Sequence, residues 1–402
     1  MRVLVINCGS STLKFELIDT TAQRADSEAE QRLARGVIER IGGQASLDFV
    51  AESNAYQDTA SIADHEQASR RVLDWLGTAG FLTPSGLEAV GHRVVHGGHR
   101  FVEPVRLDDT VIAAIDALHD LAPLHNEPAL AAIRATRAVL GARVPMVAVF
   151  DTAFHHTMPA WAAQYAIPRR LADRYHIRRY GFHGLAHRYM SERYAALTTT
   201  PIEQLKLITL QLGSGCSATA IAAGRSVDTS MGFTPLEGLM MATRSGDLDP
   251  ALSGFLARQE GVDVAQVETW LNTRSGLLGV SECSRDMREL LAAEAHGNAG
   301  AALAVELFCY RVRKCMAAYL AVLNGAEAIV FGGGIGENAP AVRARICASM
   351  DWCGLQLDAT RNAAARAVEA RISADHASLH AYVIPVDEAV IIARDTAQCL
   401  GA

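Results

Sequence analysis

The sequence predicts an α/β fold built from two similar halves. Apolar runs typical of strands alternate along the chain with segments of helical period. A strand–turn–strand pattern with a Gly/Ser tip occurs near the N-terminus and again about 200 residues later. At roughly 150 residues per domain, 402 residues also indicate two or three domains.

The first copy of the repeated pattern opens the chain. Residues 3–6 are apolar, 7–12 form a polar turn of small residues, and alternation resumes over 13–17, which predicts a hairpin. The second copy consists of the apolar residues 207–212, the turn 213–217 and the strand 218–222.

The remaining elements follow in chain order. Residues 144–150 are continuously apolar, which is typical of a strand buried on both faces. We expect peripheral strands and a helix over 20–75, a short strand and Gly-rich turn over 89–98, helices over 107–122, 127–140 and 301–323, a strand over 328–331 leading into the Gly-rich turn 332–338, a helix with Pro340 near its start, a strand over 383–386 and a helix over 389–400.

Composition excludes several classes of protein. Half of the residues are hydrophobic and a fifth are charged, which rules out a disordered or fibrous chain. The net charge of −7 is spread along the chain and argues against nucleic acid as a partner. The chain has no signal peptide core and no apolar stretch long enough for a membrane span. Eight cysteines without a C-x-x-C pair fit reduced thiols, so we expect a soluble cytoplasmic protein.

Most apolar runs end in a polar or Gly-rich turn. In open α/β sheets, ligands bind outside the carboxyl ends of strands. Glycine lets backbone N–H groups approach phosphate oxygens, so the turns 7–14, 213–217 and 332–338 are candidate phosphate cradles, with ordinary tight turns as the alternative. The sequence lacks the Walker P-loop pattern, and the glycine triplet lacks the spacing of a nicotinamide site.

Charged side chains occur in the same kind of turn. Arg93 and Arg244 carry guanidinium forks that suit carboxylate or phosphate oxygens. Asp151 and Glu388 each follow a predicted strand and could hold Mg²⁺, although Glu388 could equally stabilise a helix N-terminus. Together these groups indicate phosphoryl transfer.

His183 is a further candidate in such a turn. It lies four residues before His187, a spacing compatible with zinc. The sequence lacks the glutamate of H-E-x-x-H, and Gly184 disfavours a helix at this point, so we do not expect a zinc site.

Several longer motifs carry a family resemblance that runs nearly end to end. The chain resembles the acetate kinase family of the acetate and sugar kinase/Hsp70/actin superfamily. The motifs are NCGSSTLKF at 7–15, GHRVVHGG at 91–98, LAPLHN at 121–126, VFDTAFH at 149–155, RYGFHG at 179–184, DTSMGFTPLEGLMMATRSGDLDP at 228–250, GGGIGEN at 332–338 and ARDT at 393–396.

The resemblance implies two duplicated ribonuclease H-like (actin-like ATPase) domains around a central cleft. It places residues 1–150 plus 386–402 in an N-terminal lobe and 151–385 in a C-terminal, nucleotide-binding lobe. It implies a homodimer that uses Mg²⁺, with Mn²⁺ as the alternative metal, and ATP to convert acetate reversibly to acetyl phosphate and ADP by direct in-line transfer.

The resemblance also implies roles for individual residues. Asn7 and Glu388 would hold the metal. Arg93, His125, Asp151, His183 and Arg244 would be the catalytic residues. Arg93 would also bind the acyl carboxylate, and Val95, Leu124, Phe182 and Pro235 would form the pocket for its methyl group. Lys14, Gln211, Gly213, Ser214, Gly215, Asp286, Arg288, Gly333, Gly334, Ile335 and Asn338 would bind the nucleotide.

The chain departs from the family pattern near the phosphates. The usual H-L-G-N-G is Gln-Leu-Gly-Ser-Gly at 211–215, and the usual F-H-G-T-S-H has Leu185 and Ala186 in place of two hydroxyl residues. Asp387 replaces the usual Asn before the glutamate. Three alternatives therefore stay open: a propionate or other short-chain acyl kinase, the same reaction with pyrophosphate as donor, and a nucleotide sensor or actin-like interaction protein.

Overall fold

The structure is a computed structural model, and it describes residues 1–23, 30–51, 54–83, 86–118 and 123–402, without the side chains of 22, 23 and 123–125. The chain forms two compact units. Unit 1 comprises Met1–Ala153 together with Asp387–Ala402, and unit 2 comprises Phe154–Val386.

Strands and helices alternate through both units. The strands are β1 Arg2–Cys8, β2 Thr12–Gln23, β3 Glu30–Glu39, β4 Gly43–Ala51, β5 Asn54–Ile62, β6 Ala89–Val94, β7 Val105–Arg106, β8 Met146–Phe150, β9 Lys206–Leu212, β10 Cys216–Ala222, β11 Arg225–Thr229, β12 Ala328–Gly332, β13 Ala370–Arg371 and β14 His380–Val383. The α-helices are α1 His65–Thr78, α2 Asp109–Asp116, α3 Pro123–Leu140, α4 Ala160–Ala163, α5 Arg169–Tyr175, α6 Gly184–Thr198, α7 Ala251–Glu260, α8 Val264–Thr273, α9 Gly276–Ser281, α10 Met287–Ala295, α11 Ala299–Leu323, α12 Gly333–Asn338, α13 Pro340–Cys347, α14 Ala359–Ala364 and α15 Glu388–Cys399.

Unit 1 is built on an eight-stranded sheet in the order β5-β4-β3-β2-β1-β6-β8-β7. β1 pairs antiparallel with β2 and parallel with β6, and β6 pairs parallel with β8. Helices α3 and α15 pack against β1 and β6. Gly91 in β6 allows α15 to approach, because a Cβ there would lie 2.4 Å from Thr396 Oγ1. The carboxyl ends of β1, β6 and β8 therefore meet at one edge of this sheet.

Unit 2 repeats the same pairing pattern in a six-stranded sheet, β11-β10-β9-β12-β14-β13. Its first strand, β9, is antiparallel to β10 and parallel to β12, and β12 is parallel to β14. Helices α6 and α11 pack against this sheet. The predicted α/β class with two similar halves is confirmed, since both sheets place three antiparallel strands beside two parallel ones.

Most predicted elements are confirmed, but five predictions on element type or bounds were wrong. The strand expected over 383–386 is β14 His380–Val383, because its backbone pairs with β12 only from Ala328 to Phe331. The helix expected from residue 107 to residue 122 starts later, as α2 Asp109–Asp116, whose N-cap is Asp108. Residues 119–122 lie outside the described part of the chain.

The other three corrections concern turns. The Gly-rich turn expected over 332–338 is largely the short helix α12 Gly333–Asn338, since helical backbone begins directly after β12 ends. The turn expected over 213–217 is shorter, because Cys216 and Ser217 already pair with β9. Gly184 does not prevent a helix, since α6 begins at that residue and includes His187.

Within the described residues, no helix is long and apolar enough to cross a membrane. All eight cysteines are free thiols.

Candidate active site

Four polar side chains of unit 1 meet where β1, β6 and β8 end. Arg93 donates from Nη2 to Asp151 Oδ2 at 2.5 Å and from Nη1 to Asn7 Oδ1 at 3.2 Å. Asn7 Nδ2 in turn donates to Glu388 Oε2 at 3.0 Å. The neighbouring parallel strands explain why Arg93 and Asp151 meet. Glu388, the first residue of α15, comes from the far end of the chain.

Burial and charge together set the ionisation of this cluster. Desolvation raises the pKa of Glu388, and the nearby Asp151 carboxylate raises it further, while the Arg93 guanidinium opposes this shift. Burial disfavours the charge on Arg93, but the carboxylates of Asp151 and Glu388 outweigh it and raise the pKa of Arg93 above its ordinary value. The cluster therefore holds a permanent guanidinium between two carboxyl groups.

The oxygen atoms of this cluster fit Mg²⁺ better than a softer metal. Mg²⁺ takes one or two carboxylates plus substrate phosphate oxygens and waters, and needs no complete cage of protein ligands. Glu388 supplies a carboxylate. Asn7 donates to it from Nδ2, and the amide oxygen of Asn7 accepts from Arg93. Among the residues that the structure describes, no group of three or more His, Cys, Asp or Glu side chains could hold a metal ion.

The other candidates in unit 1 lie near the same strand ends. Lys14 pairs with Asn7 across the β1–β2 hairpin. Val95 is buried directly after β6. The side chains of Leu124 and His125 lie outside the described part of the structure. Their neighbour Asn126 donates to the His96 backbone oxygen and accepts from its N–H, both at 3.0 Å, which ties α3 to the turn after β6.

In unit 2, two glycine turns lie side by side: residues 213–215 after β9, and residues 332–334, where the chain passes from β12 into α12. β9 and β12 are parallel and in register from Ala328 to Gly332, so both end at the same sheet edge. The turn after β9 closes with a hydrogen bond from Gly213 N to Gly215 O at 3.0 Å. Gly333, with φ 74°, passes so close that a Cβ would lie 2.7 Å from Leu212 O. These turns expose backbone at the position where the sequence predicts nucleotide phosphates.

An imidazole and a guanidinium converge on the same turn. A Cβ at Gly215 would lie 3.3 Å from His183 Nε2 and 3.6 Å from Arg244 Nη1. His183 adopts φ 56° as the N-cap of α6, a conformation that non-glycine residues adopt mainly where the surroundings impose it.

Arg244 differs from Arg93 in its partners. Arg244 Nη1 donates to Pro235 O at 3.2 Å, and burial lowers the pKa of this guanidinium. Among the described residues, no carboxylate lies within ion-pair distance of it. A partly buried, uncompensated guanidinium beside an imidazole and two glycine turns is suited to bind an anion.

The remaining candidates of unit 2 differ in how closely they approach these turns. Ser214 is exposed in the first turn, and Gly334 is exposed in the second. Asn338, at the end of α12, is also exposed, and its Nδ2 donates to Gly334 O. Gln211 is the last residue but one of β9, and its Oε1 is buried without a hydrogen-bond partner among the described residues. Asp286 and Arg288 pair with each other at the start of α10, which holds the pKa of Asp286 at about 2. Two residues complete this set: Phe182 is buried next to His183, and Ile335 is half-buried in α12.

Sequence reasoning missed three residues that organise this site. Ser217 and His187 form hydrogen bonds in line with His183. Glu337 Oε1 accepts from Gly333 N at 2.8 Å and from Val386 N at 3.1 Å, which fixes the second glycine turn. Only the i, i+4 spacing of the two histidines was visible in the sequence. The structure shows that both bond to one hydroxyl group.

The chain is similar to known proteins over nearly its whole length. The family model described as the acetokinase family matches residues 2–394. The chain is 48% identical to an acetate kinase from Solibacter usitatus, over 100% of this chain and 98% of that protein, and 45% identical to one from Chloroherpeton thalassium, over 100% and 99%.

Two solved structures are similar to this chain as well. An acetate kinase from Porphyromonas gingivalis superposes with a TM-score of 0.90 and a propionate kinase from Francisella tularensis with 0.91, each at 37% identity over 99% of both chains. With matches of this length and identity, the chain belongs to the acetokinase family.

Proposed function

We propose that this protein is an acetate kinase, which transfers the γ-phosphoryl group of ATP to acetate and runs in both directions. The observation that carries the proposal is the convergence of His183 and the uncompensated Arg244 on Gly215, beside two glycine turns. A protein that only binds nucleotide has no need of a guanidinium without a counter-ion at this point.

The reaction requires positioning and positive charge but no general base. The acetate carboxylate is already an anion at neutral pH, so its oxygen attacks the γ-phosphorus without losing a proton. The new acyl O–P bond forms as the bond from the γ-phosphorus to the β-phosphate oxygen breaks, and ADP leaves with that electron pair. Negative charge spreads over the three equatorial oxygens, and fixed cations and N–H donors stabilise it.

In unit 1, the chain's residues prepare the acceptor and the metal position. Arg93 binds the acetate carboxylate, and Asp151 orients that guanidinium through its 2.5 Å hydrogen bond. Asn7 and Glu388 hold Mg²⁺, which would neutralise phosphate charge when bound; Mn²⁺ would fit the same oxygen donors. Val95 and Leu124 of unit 1, with Phe182 and Pro235 of unit 2, receive the methyl group.

Groups of unit 2 act on the phosphates. Arg244 binds the transferring phosphoryl group, and His183 donates a hydrogen bond to it from Nε2, with His125 of unit 1 in support. The nucleotide is bound by Lys14 of unit 1 and, in unit 2, by Gln211, Gly213, Ser214, Gly215, Asp286, Arg288, Gly333, Gly334, Ile335 and Asn338.

The direct test is acetyl hydroxamate formation from acetate, Mg-ATP and hydroxylamine with purified protein. We expect turnover that depends on Mg²⁺ and disappears with EDTA. Absence of product with any acyl acceptor would overturn the proposal.

Propionate is the second candidate acceptor, because one of the similar solved structures is a propionate kinase. A small apolar pocket separates substrates that differ by one methylene by only about 1–3 kcal/mol. We therefore expect kcat/KM for acetate to exceed that for propionate by about 10- to 200-fold. An equal or inverted ratio would make propionate the substrate.

Pyrophosphate is the second candidate donor, because Gln211 and Ser214 depart from the family pattern. Acetate turnover with Mg-ATP and with Mg-pyrophosphate, at equal concentrations, separates the two donors. We expect ATP to be used, since the turns in unit 2 retain every glycine of the pattern.

We also propose a cytoplasmic homodimer that needs neither nucleic acid nor a membrane. The homodimer predicts about twice the monomer mass of 43.0 kDa in light scattering. A monomer mass at micromolar concentration would contradict this part of the proposal.

A further inference from the structure

A buried chain of hydrogen bonds leads from β9 to His183. Thr209 Oγ1 lies 2.7 Å from His187 Nδ1, His187 Nε2 lies 2.7 Å from Ser217 Oγ, and Ser217 Oγ lies 2.8 Å from His183 Nδ1. Thr209, His187 and Ser217 are each fully buried. These hydrogen bonds therefore lead to His183, whose imidazole faces Gly215.

Counting protons leaves two arrangements in which all of these hydrogen bonds run in one direction. A third, in which Ser217 accepts from both rings, leaves the buried Ser217 proton without an acceptor among the described residues. Each hydroxyl carries one proton, and burial lowers the pKa of His187 well below 6.5, so that its ring is neutral and has one N–H. In the first arrangement, Thr209 donates to His187 Nδ1, His187 Nε2 donates to Ser217, and Ser217 donates to His183 Nδ1. In the second, every bond runs in the opposite direction.

The two arrangements present different atoms to the glycine turn. In the first, His183 Nδ1 accepts from Ser217, so a neutral ring carries its proton on Nε2 and donates towards Gly215. In the second, Nδ1 carries the proton, and a neutral ring offers a bare lone pair, which would repel phosphate oxygens. Whether Thr209 donates to His187 or accepts from it thus selects between these two arrangements, and with them whether His183 Nε2 is a donor.

Thr209 favours the first arrangement. His187 is the one hydrogen-bond partner of its hydroxyl among the described residues. If His187 donated to Thr209, the buried hydroxyl proton would lose its acceptor, a cost that biases the equilibrium by about ten-fold or more. The other titratable ring beside His187 does not oppose this. His155 Nε2 lies 3.0 Å from the Phe182 carbonyl, which can only accept, and His155 Nδ1 lies 2.9 Å from Ser226 Oγ.

We propose that Thr209, His187 and Ser217 are positioning residues that hold His183 as the neutral tautomer with its proton on Nε2. The proposal deepens the proposed function, because it rests on His183 acting as a hydrogen-bond donor to the transferred phosphoryl group. The three residues act through His183 and do not contact the substrate.

The test is the ring nitrogen spectrum of the enzyme labelled with ¹⁵N-histidine, in which protonated and bare nitrogens are distinguished by their shifts. His183 signals are assigned by comparison with His183→Gln. In the unsubstituted enzyme we expect a protonated Nε2 and a bare Nδ1. A bare Nε2 on His183 overturns the proposal, whatever the activity.

Substitutions then test the direction of the chain. Thr209→Val keeps the shape but removes the hydroxyl, so we expect a second set of His183 signals with a bare Nε2. We expect kcat to fall about two-fold or more, with KM for acetate unchanged. Thr209→Ser restores the hydroxyl and should restore one set of signals. Ser217→Ala removes, and Ser217→Thr keeps, the hydroxyl that bonds directly to His183. This second pair of variants keeps the test available if Thr209→Val fails to fold.

The matched control is Thr219→Val, which removes another buried hydroxyl. Thr219 lies on β10, and its hydroxyl bonds to Thr229 and takes no part in the hydrogen bonds that lead to His183. We expect His183 signals and kcat as in the unsubstituted enzyme. Unchanged His183 signals in both Thr209→Val and Ser217→Ala contradict the proposal. If His183 shows the expected tautomer but the unsubstituted protein does not phosphorylate acetate, the proposed function is refuted and the assignment of the hydrogen bonds stands.

Discussion

The two arginines assigned to the substrates differ in how the protein compensates their charge. Arg93 donates hydrogen bonds to Asp151 and Asn7, and its Nε lies 3.8 Å from Glu388 Oε2. Arg244 has a backbone carbonyl and a methionine sulfur as its hydrogen-bond partners. Removing one member of a buried ion pair leaves the other charge uncompensated and is costly, whereas a buried charge without a counter-ion is itself costly to keep.

We therefore predict opposite effects of two identical substitutions on stability. Arg93→Ala should lower the free energy of unfolding by about 3–5 kcal/mol, because it leaves Asp151 and Glu388 uncompensated. Arg244→Ala should leave it unchanged or raise it by about 0.5–2 kcal/mol. Both should lower kcat by about 10²–10³, measured as hydroxamate formation alongside urea unfolding.

Arg274→Ala is the control for both substitutions, since Arg274 is exposed at the end of α8. It should keep activity and stability. Full turnover after Arg244→Ala would remove this residue from the site.

The sequence allowed only part of this cluster to be predicted. Arg93 and Asp151 end neighbouring buried strands, so their meeting followed from strand order. Glu388 lies 381 positions from Asn7, and only the family resemblance connected them. Thr209 gave no signal, because a hydroxyl in an apolar run is compatible with any buried strand. Ser217 was assigned to the turn 213–217 and not to the strand that places it beside His183.

At the scale of elements, two neighbouring glycines in the turn at the end of β12 are required for different reasons. Gly333 has φ 74° and no room for a Cβ, while a Cβ on Gly334 would meet no heavy atom within 4 Å. The first glycine is needed by the fold, and the second leaves open the space that we assign to the nucleotide.

Alanine at these two positions should therefore give different results. Gly334→Ala should keep the free energy of unfolding and raise KM for ATP about ten-fold, because the methyl group enters the nucleotide space. Gly333→Ala should lower the free energy of unfolding by about 1–3 kcal/mol. An unchanged KM for ATP in Gly334→Ala would place the nucleotide elsewhere.

A fully buried arginine, Arg343, supports the end of α12, the helix that follows this turn. Arg343 donates to the backbone oxygens of Gly336 and Glu337 at the end of α12, and to Asn362 and Ala365. Burial lowers the pKa of Arg343 to about 10, and no carboxylate among the described residues pairs with it. This guanidinium replaces the N–H groups that a longer helix would have offered to those carbonyls.

We predict that Arg343→Met lowers the free energy of unfolding by about 2–4 kcal/mol, because several buried acceptors lose their donor at once. It should also raise KM for ATP, measured in the same hydroxamate assay. Arg366→Met is the matched control, since Arg366 is exposed and makes one hydrogen bond, to Asn338 O. Equal stability losses in both variants would contradict the supporting role.

Element type was more predictable than element bounds, for physical reasons. The hairpins β1–β2 and β9–β10 were visible because small polar residues interrupt regular apolar alternation. The extent of β14 was not, because residues 383–386 stay apolar after the partner strand β12 has ended. Pairing across the sheet, which depends on distant residues, sets the end of that strand.

At the scale of the whole molecule, two buried neutral histidines make stability depend on pH. Burial lowers the pKa of His92 to about 3 and that of His187 well below its ordinary value. Below pH 6.5 the unfolded chain takes up protons at these positions that the folded chain does not. The stability from the neutral rings is therefore fully present above pH 6.5 and is lost as the pH falls.

Each histidine contributes a slope of up to about 1.4 kcal/mol per pH unit. We predict that His92→Leu reduces the pH dependence of the free energy of unfolding by about that amount between pH 6 and pH 4, measured by urea titration. It should also raise the free energy of unfolding at pH 7 by about 1 kcal/mol, because neither ring nitrogen of His92 has a partner among the described residues. The exposed His376→Gln should leave the slope unchanged, and an unchanged slope in His92→Leu would mean that this ring is not neutral in the folded protein.

The division of unit 1 between the two ends of the chain has a consequence for biosynthesis. Unit 2 is one continuous segment and can fold as soon as residue 386 has left the ribosome. The sheet of unit 1 is made first but lacks α15, and with it Glu388, until the ribosome has translated more than 230 further residues. At ~5–20 residues per second, the nascent N-terminal sheet waits roughly 10–50 s with the face that receives α15 uncovered, which makes it the natural client of a ribosome-associated chaperone.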